Sequence, residues 1–293
     1  MNLRRIFYFI FKGCEYGVKL EVLECLAKEI NDKIPPLLFI HGAYHGAWCW
    51  EKYFLPYFSS RGFSSYALSL RGHGKSQGYE QLHTSSLSDY VEDILKTMLL
   101  FKRKPVLIGH SMGGALVQKI LHLHPEKIRA AVLMASVPPK GMLKESLQMT
   151  LKRMLDRNSN TNFLAKLFFS NQLLDEEKEE FMKCLQEESI KARKELRGRI
   201  VPKSITASIP TLVIGSKTDG VFSEKRAISI GCAYSTTPVV FSNMSHDMML
   251  DPNWKIVADQ IVSFLGKEIP ECREREKEWI NRDLIKSRPL QVM

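Results

Sequence analysis

Short apolar runs alternate with amphipathic segments along the first half of the chain. Residues 18–26 alternate polar and apolar with a period of two, the pattern of a half-buried strand at a sheet edge. Residues 37–40, 65–70, 106–108, 130–134, 212–214 and 239–241 are short runs dominated by apolar residues. Such runs predict central strands covered on both faces, as in a parallel sheet. Between them, residues 48–60, 87–100, 113–122, 224–230 and 254–265 carry helical periodicity. Gly62 and Pro125 stand where two of these helices must stop. Strand–helix alternation of this kind predicts a parallel sheet joined by right-handed crossovers.

The alternation breaks over residues 137–209. No strand-like run occurs there, and helical periodicity returns at 142–155, 163–169 and 176–190, rich in Leu, Met, Phe and charge. The expected organisation is therefore a core from 1 to 136, a helical lid insertion from 137 to 209, the rest of the core from 210 to 266, and a charged tail from 267 to 293. In that tail, residues 271–283 alternate in charge beside Trp279, Ile280 and Leu284, which predicts a helix packed on the domain edge or used in homodimer contact. The leading arm, residues 1–13, sets Arg4 and Arg5 before an apolar run from Ile6 to Phe11. The run is too short to span a bilayer, and Gly13-Cys14-Glu15 is a poor cleavage site. It reads as an edge strand or a covering arm, with peripheral membrane contact as the alternative.

The 293 residues suffice for one large core, and 44% hydrophobic with 25% charged residues is ordinary for a globular chain. The net charge of +10 favours anionic surfaces. No zinc-finger spacing, ribonucleoprotein motif or basic-region heptad is present, so no nucleic-acid partner is expected. Charge in the second half is mixed in sign, as over residues 191–199. Six scattered cysteines without CxxC spacing predict reduced thiols, hence a cytoplasmic setting, and no metal site.

The chemistry concentrates at the ends of the predicted strands. Gly109-His110-Ser111-Met112-Gly113 fits G-x-S-x-G, following the apolar strand at 106–108 and opening a helix. A serine at a sharp strand-to-helix turn exposes its hydroxyl, and the helix N-terminus favours a developing oxyanion. Two preorganised N–H donors are then needed. Met112 supplies one, and Ala43, in the loop His41-Gly42-Ala43-Tyr44 after the strand at 37–40, supplies the other. His41 braces that loop. With Gly42, Tyr44 and His110 it is a candidate for the substrate pocket.

A neutral serine needs a histidine in reach, and the histidine needs an acid to fix its tautomer. In this kind of fold the chain order is Ser, then Asp or Glu, then His. Only His122, His124 and His246 follow the serine, and the first two lie too near it in sequence to fold back. That leaves His246 as base and Asp219, in the loop after the strand at 212–214, as acid. Asp247 adjoins the histidine, so its side chain should diverge.

These residues resemble the α/β-hydrolase superfamily over roughly residues 18–265. The run from His41 to Trp50, HGAYHGAWCW, is similar to the opening loop of plant methylesterases and hydroxynitrile lyases. Arg71-Gly72-His73-Gly74-Lys75-Ser76 and Gly109-His110-Ser111-Met112-Gly113-Gly114 resemble bacterial esterases and monoglyceride-type lipases, and Ser245-His246-Asp247-Met248-Met249-Leu250 resembles bacterial hydrolases. The resemblance implies an α/β fold with a mostly parallel central sheet flanked by helices, a helical lid, and no cofactor. It implies a serine hydrolase of carboxylic esters. The apolar residues of the expected lid, among them Met142, Met149, Phe163 and Leu167, suggest a substrate with an apolar acyl or alcohol part, the alternative being that they only bury the lid against the sheet. Asp247 stands where the lyases of this group carry lysine, which argues against cyanide chemistry. Acyl transfer by the same triad, or a noncatalytic ligand receptor on the same scaffold, remain alternatives.

Overall fold

The computed structural model describes residues 4–9, 18–155, 160–202 and 209–273. Eight strands form one sheet in the order β1-β2-β4-β3-β5-β6-β7-β8. They are β1 (Arg4–Phe9), β2 (Leu20–Cys25), β3 (Leu37–Ile40), β4 (Ser65–Leu68), β5 (Val106–His110), β6 (Ala130–Met134), β7 (Thr211–Ser216) and β8 (Val239–Phe241). β1 pairs antiparallel with β2, and β2 antiparallel with β4. The pairings from β4 through β8 are parallel. The alternating segment at 18–26 is thus the antiparallel β2, and the leading arm contributes an edge strand to it. The apolar runs are the parallel centre.

Period-two alternation divides the central strands between two cores. Leu37, Phe39, Val106, Ile108, Val132 and Ile214 face one side. Leu38, Ile40, Leu107, Leu133 and Val213 face the other. On the first side pack α1 (Trp48–Glu51), α2 (Phe54–Ser60) and α10 (Trp254–Glu268). On the second pack α3 (Leu87–Met98), α4 (Met112–Leu123) and α9 (Glu224–Ala233). The helix expected over 48–60 is broken at Lys52–Tyr53 into α1 and α2. Ser86 caps α3 by a reciprocal capping box with Asp89.

Among the described residues four helices lie between β6 and β7: α5 (Leu143–Leu155), α6 (Asn160–Phe168), α7 (Asp175–Cys184) and α8 (Ile190–Glu195). The single helix expected over 176–190 is interrupted at 185–189. There Gln186 N–H donates to Tyr44 O at 3.0 Å, and the Gln186 amide bridges Gly72 O and Gly74 N–H, each at 2.7 Å. Fixed contacts to the core outweigh a helical propensity of a few tenths of a kcal/mol per residue, about the size that propensity reaches. Of the charged helix expected over 271–283, all beyond Arg273 lies outside the described residues. Among the described residues no helix is long and apolar enough to cross a membrane.

Strand order reverses direction at β3 and β5, so a crevice opens at their C-terminal ends. Ile40 pairs with Gly109, which makes the loop leaving β3 and the turn leaving β5 emerge side by side. Glycines permit that closeness. A Cβ on Gly113 would meet the carbonyl oxygen of Ile40 and lie 2.6 Å from that of His41. Gly113→Ala gains about 1 kcal/mol of helix propensity, but overpacking costs about 1–3 kcal/mol. A net destabilisation, read as a lower urea midpoint with unchanged slope, is the expected outcome.

Candidate active site

Ser111 stands between β5 and α4 with φ 51° and ψ −112°. A left-handed φ at a non-glycine residue costs energy and persists only where surrounding contacts impose it. Here the Ser111 N–H donates to Met134 O at 3.0 Å, and its carbonyl accepts from Val137 N–H at 3.2 Å and Ala115 N–H at 3.3 Å. The side chain faces a cavity of about 600 Å³ that is also lined by His246, Ala43, Met112, Tyr44 and His110.

His246 reaches that cavity from the loop after β8. Its Nδ1 lies 2.9 Å and 3.0 Å from the two carboxylate oxygens of Asp219, in the loop after β7. Asp219 is fixed in turn by the N–H groups of Val221 and Phe222, at 2.7 Å and 2.9 Å. The two loops are joined by Met244 N–H, which donates to Ser216 Oγ and Thr218 Oγ1. Both side chains of the pair are almost fully buried. Burial alone would push the imidazole down, but the charge and hydrogen bond of Asp219, with Asp247 nearby, raise its pKa above the ordinary histidine value. Nδ1 therefore carries the proton facing Asp219, leaving Nε2 as the basic nitrogen.

Ala43 and Met112 both border the cavity. Met112 opens α4, so its N–H has no acceptor within the helix. Among the described residues the Ala43 N–H also finds no acceptor. Tyr44 lines the cavity with φ 72°, its carbonyl held by Gln186.

Two of the four expected pocket residues do not reach the cavity. His41 is fully buried behind it, where Nε2 accepts from Leu70 N–H at 3.1 Å and Nδ1 donates to Gly42 O at 2.8 Å. Gly42 packs against the elbow instead, since a Cβ there would lie 2.8 Å from His110 Nδ1 and 3.1 Å from Ser111 Cβ. His110 does line the cavity, and its Nε2 donates to His246 O at 3.0 Å. Burial, then the neighbouring charge of His246, push its pKa down to about 3, so the ring is neutral.

Several residues of the site were not signalled by motif. Asp247 turns away from His246, as adjacency requires, but it is fully buried and accepts from His45 Nε2 at 2.8 Å. His45 Nδ1 in turn contacts Ala43 O at 2.8 Å. Each nitrogen of His45 thus faces an oxygen. Burial opposes the Asp247 charge, yet the charge and hydrogen bond of His45 hold its pKa below the usual carboxylate value. A second buried pair comes from the insertion. Glu188 meets His73 Nε2 at 3.1 Å and accepts from Tyr90 Oη at 2.9 Å and Ser189 N–H at 2.7 Å. Phe168, at the end of α6, stacks 5.8 Å from His246, and its carbonyl accepts from Asp247 N–H at 3.0 Å.

Among the described residues His110, His246 and Asp247 bring potential ligand atoms within 4.8 Å of one another. His110 Nε2 already serves the His246 carbonyl and one Asp247 oxygen serves His45, so the group reads as a hydrogen-bonded set.

A family profile described as the alpha/beta hydrolase fold matches residues 35–261. The chain belongs to the α/β-hydrolase fold family. Methyl jasmonate esterase 1 of Vitis vinifera is 36% identical over 104 residues, 35% of this chain and 39% of that protein. Salicylic acid-binding protein 2 of Nicotiana tabacum is 32% identical over 134 residues, 45% of this chain and 50% of that protein. The chain thus spans about two-fifths to one-half of the length of these curated relatives. The structure of an esterase from Exiguobacterium antarcticum superposes with a TM-score of 0.72 at 20% identity, covering 85% of this chain and 96% of that one. That likeness bears on the fold.

Removing the Asp247 carboxylate leaves the buried His45 Nε2 without its partner, and a buried polar group left unsatisfied costs about 1–3 kcal/mol. Asp247→Ala should lower the urea midpoint accordingly at neutral pH. The carboxyl is depressed in the folded state, so its contribution is present above its ordinary value of 3.8 and fades as pH falls through the folded pKa. The gap between wild type and variant should therefore narrow in acid, measured by denaturation at stepped pH.

Proposed function

We propose that this chain is a serine hydrolase of carboxylic esters, with Ser111 as nucleophile, His246 as general base and Asp219 as the orienting acid. The observation that carries the reading is the His246–Asp219 contact at 2.9 Å, with the same imidazole lining one cavity with a serine on a strained strand-to-helix turn. The named activities of methyl jasmonate esterase 1 and of the Exiguobacterium antarcticum esterase support an ester as the bond cleaved.

In this reading Ser111 Oγ attacks the acyl carbonyl while His246 Nε2 takes its proton. The carbonyl oxygen, now an anion, accepts from the N–H groups of Ala43 and Met112. His246 returns the proton to the leaving alcohol as the C–O bond breaks, and an acyl-enzyme remains. Water, deprotonated by His246, then attacks that ester and frees the acid and Ser111. Asp219 keeps Nδ1 protonated and stabilises the imidazolium formed at each proton transfer. Phe168 and Phe222 flank the base and limit water around it.

Ser111→Ala should abolish labelling by a fluorophosphonate probe and hydrolysis of a p-nitrophenyl ester. Labelling that survives the substitution would remove Ser111 from the mechanism. Asp219→Asn should lower kcat by about 10⁴-fold, the size of loss produced by a wrong histidine tautomer. Because His246 must be neutral to act and its pKa is raised, the acid limb of kcat/KM should have its midpoint above pH 6.5. A pH–rate profile from pH 5 to 9, about the span over which a raised histidine titrates, measures it.

A further inference from the structure

The segment at 191–199 reads in sequence as mixed charge, but its placement separates the signs. It carries Lys191, Arg193, Lys194, Arg197 and Arg199 against one carboxylate, Glu195. Glu195 is spent on the end of α3, where it accepts from Leu87 N–H at 2.8 Å. Arg193 and Arg197 lie four residues apart on and just beyond α8, both exposed, and both border the cavity that holds Ser111 and His246. The Arg193 guanidinium sits 5.8 Å over the ring of Tyr44, the residue after Ala43. Among the described residues neither arginine has a carboxylate partner.

The acids that border the same cavity are already engaged. Glu188 is fully buried and faces His73, Tyr90 and the Ser189 N–H. Glu187 projects into solvent and pairs with His83 at 3.5 Å. Arg193 and Arg197 outnumber the one exposed carboxylate at the cavity, Glu187, so its solvent side is net positive. Its inner wall is apolar, with Met149, Phe163, Leu164, Leu167 and Val221. A cleft with low-dielectric walls focuses such a field on whatever enters. Guanidinium groups bind carboxylate and phosphate through paired, planar hydrogen bonds.

We propose that the substrate is an apolar ester bearing a carboxylate or phosphate remote from the scissile bond, and that Arg193 and Arg197 hold this anion at the cavity entrance. The inference rests on the serine-hydrolase reading. The apolar portion lies along the insertion wall with the carbonyl at Ser111, while the anion stays at the rim, where it is not forced to give up its water.

Two matched substrate pairs distinguish where the anion resides. The p-nitrophenyl monoester of octanedioic acid against p-nitrophenyl octanoate places it on the acyl side. A monoacylglycerol phosphate against the same monoacylglycerol places it on the alcohol side. For at least one pair the full-length protein should favour the anionic member in kcat/KM by about tenfold at low ionic strength, the scale of one charge-assisted contact. That ratio should collapse in Arg193→Gln/Arg197→Gln and survive in Lys191→Gln/Lys194→Gln, which removes equal charge from the same helix outside the cavity. A calorimetric titration of Ser111→Ala protein with octyl phosphate, compared with octanol, reads binding without turnover. It should show binding of the phosphate that the double arginine substitution weakens about tenfold. Turnover of neutral esters with both ratios at or below one overturns this inference and leaves the hydrolase reading standing. Absence of all turnover and of fluorophosphonate labelling rejects the hydrolase reading. In that event octyl phosphate binding that ignores both arginines overturns the anion site on its own terms.

Discussion

The left-handed turn at Ser111 is the constraint around which the molecule is arranged. Such a backbone conformation at a non-glycine residue costs about 1–3 kcal/mol. It is imposed from three directions: by Met134 on β6, by Val137 beyond it, and by Ala115 one turn into α4. Gly113 removes a side chain that would collide with the carbonyls of Ile40 and His41, and Gly109 one that would collide with the backbone of Gly113. Once the turn is fixed, the parallel register of β3 and β5 fixes the neighbouring loop. The ends of β7 and β8 then deliver Asp219 and His246 to the same rim. Each later feature depends on strand ends that the sheet has already aligned.

Around this frame the protein keeps two histidine–carboxylate contacts in places where charge is costly. His45–Asp247 and His73–Glu188 are essentially dry. Pairs of this kind contribute little net stability over apolar replacements, whereas losing one partner is expensive. Their return is positional. Asp247 follows His246 in the chain, and its partner His45 holds the carbonyl of Ala43. One buried contact thereby couples the loop of His246 to the loop of Ala43. The N–H of Asp247 also holds the last carbonyl of α6, so the insertion is referenced to the same point.

Much of this was legible before any coordinates. The short apolar runs at 37–40, 106–108 and 130–134 mark buried parallel strands because both faces are covered, and the edge strand β2 stands out because only one face is. The order of serine, acid and histidine selected Asp219 and His246, and the structure brings their side chains together. What the sequence concealed were contacts made by ordinary residues in ordinary surroundings. Glu188 sits in a stretch that reads as amphipathic helix, and nothing local announces that the chain straightens there to meet His73. His41 and Gly42 belong to the right loop, but whether a residue lines a cavity or lies one layer behind it depends on side-chain direction. Residues 191–199 read as mixed in sign, but the one carboxylate among five basic side chains, Glu195, is consumed by a helix end.

The broken helix at 185–189 bears on how such a domain could be altered. The covering segment is sewn into the core by Gln186, Glu188 and the carbonyl of Phe168, so it is not a detachable module. Excising it to make a wider, more permissive scaffold would strip Phe168 from the imidazole of His246 and leave the buried His73 Nε2 without its Glu188 partner. This segment is part of the foundation.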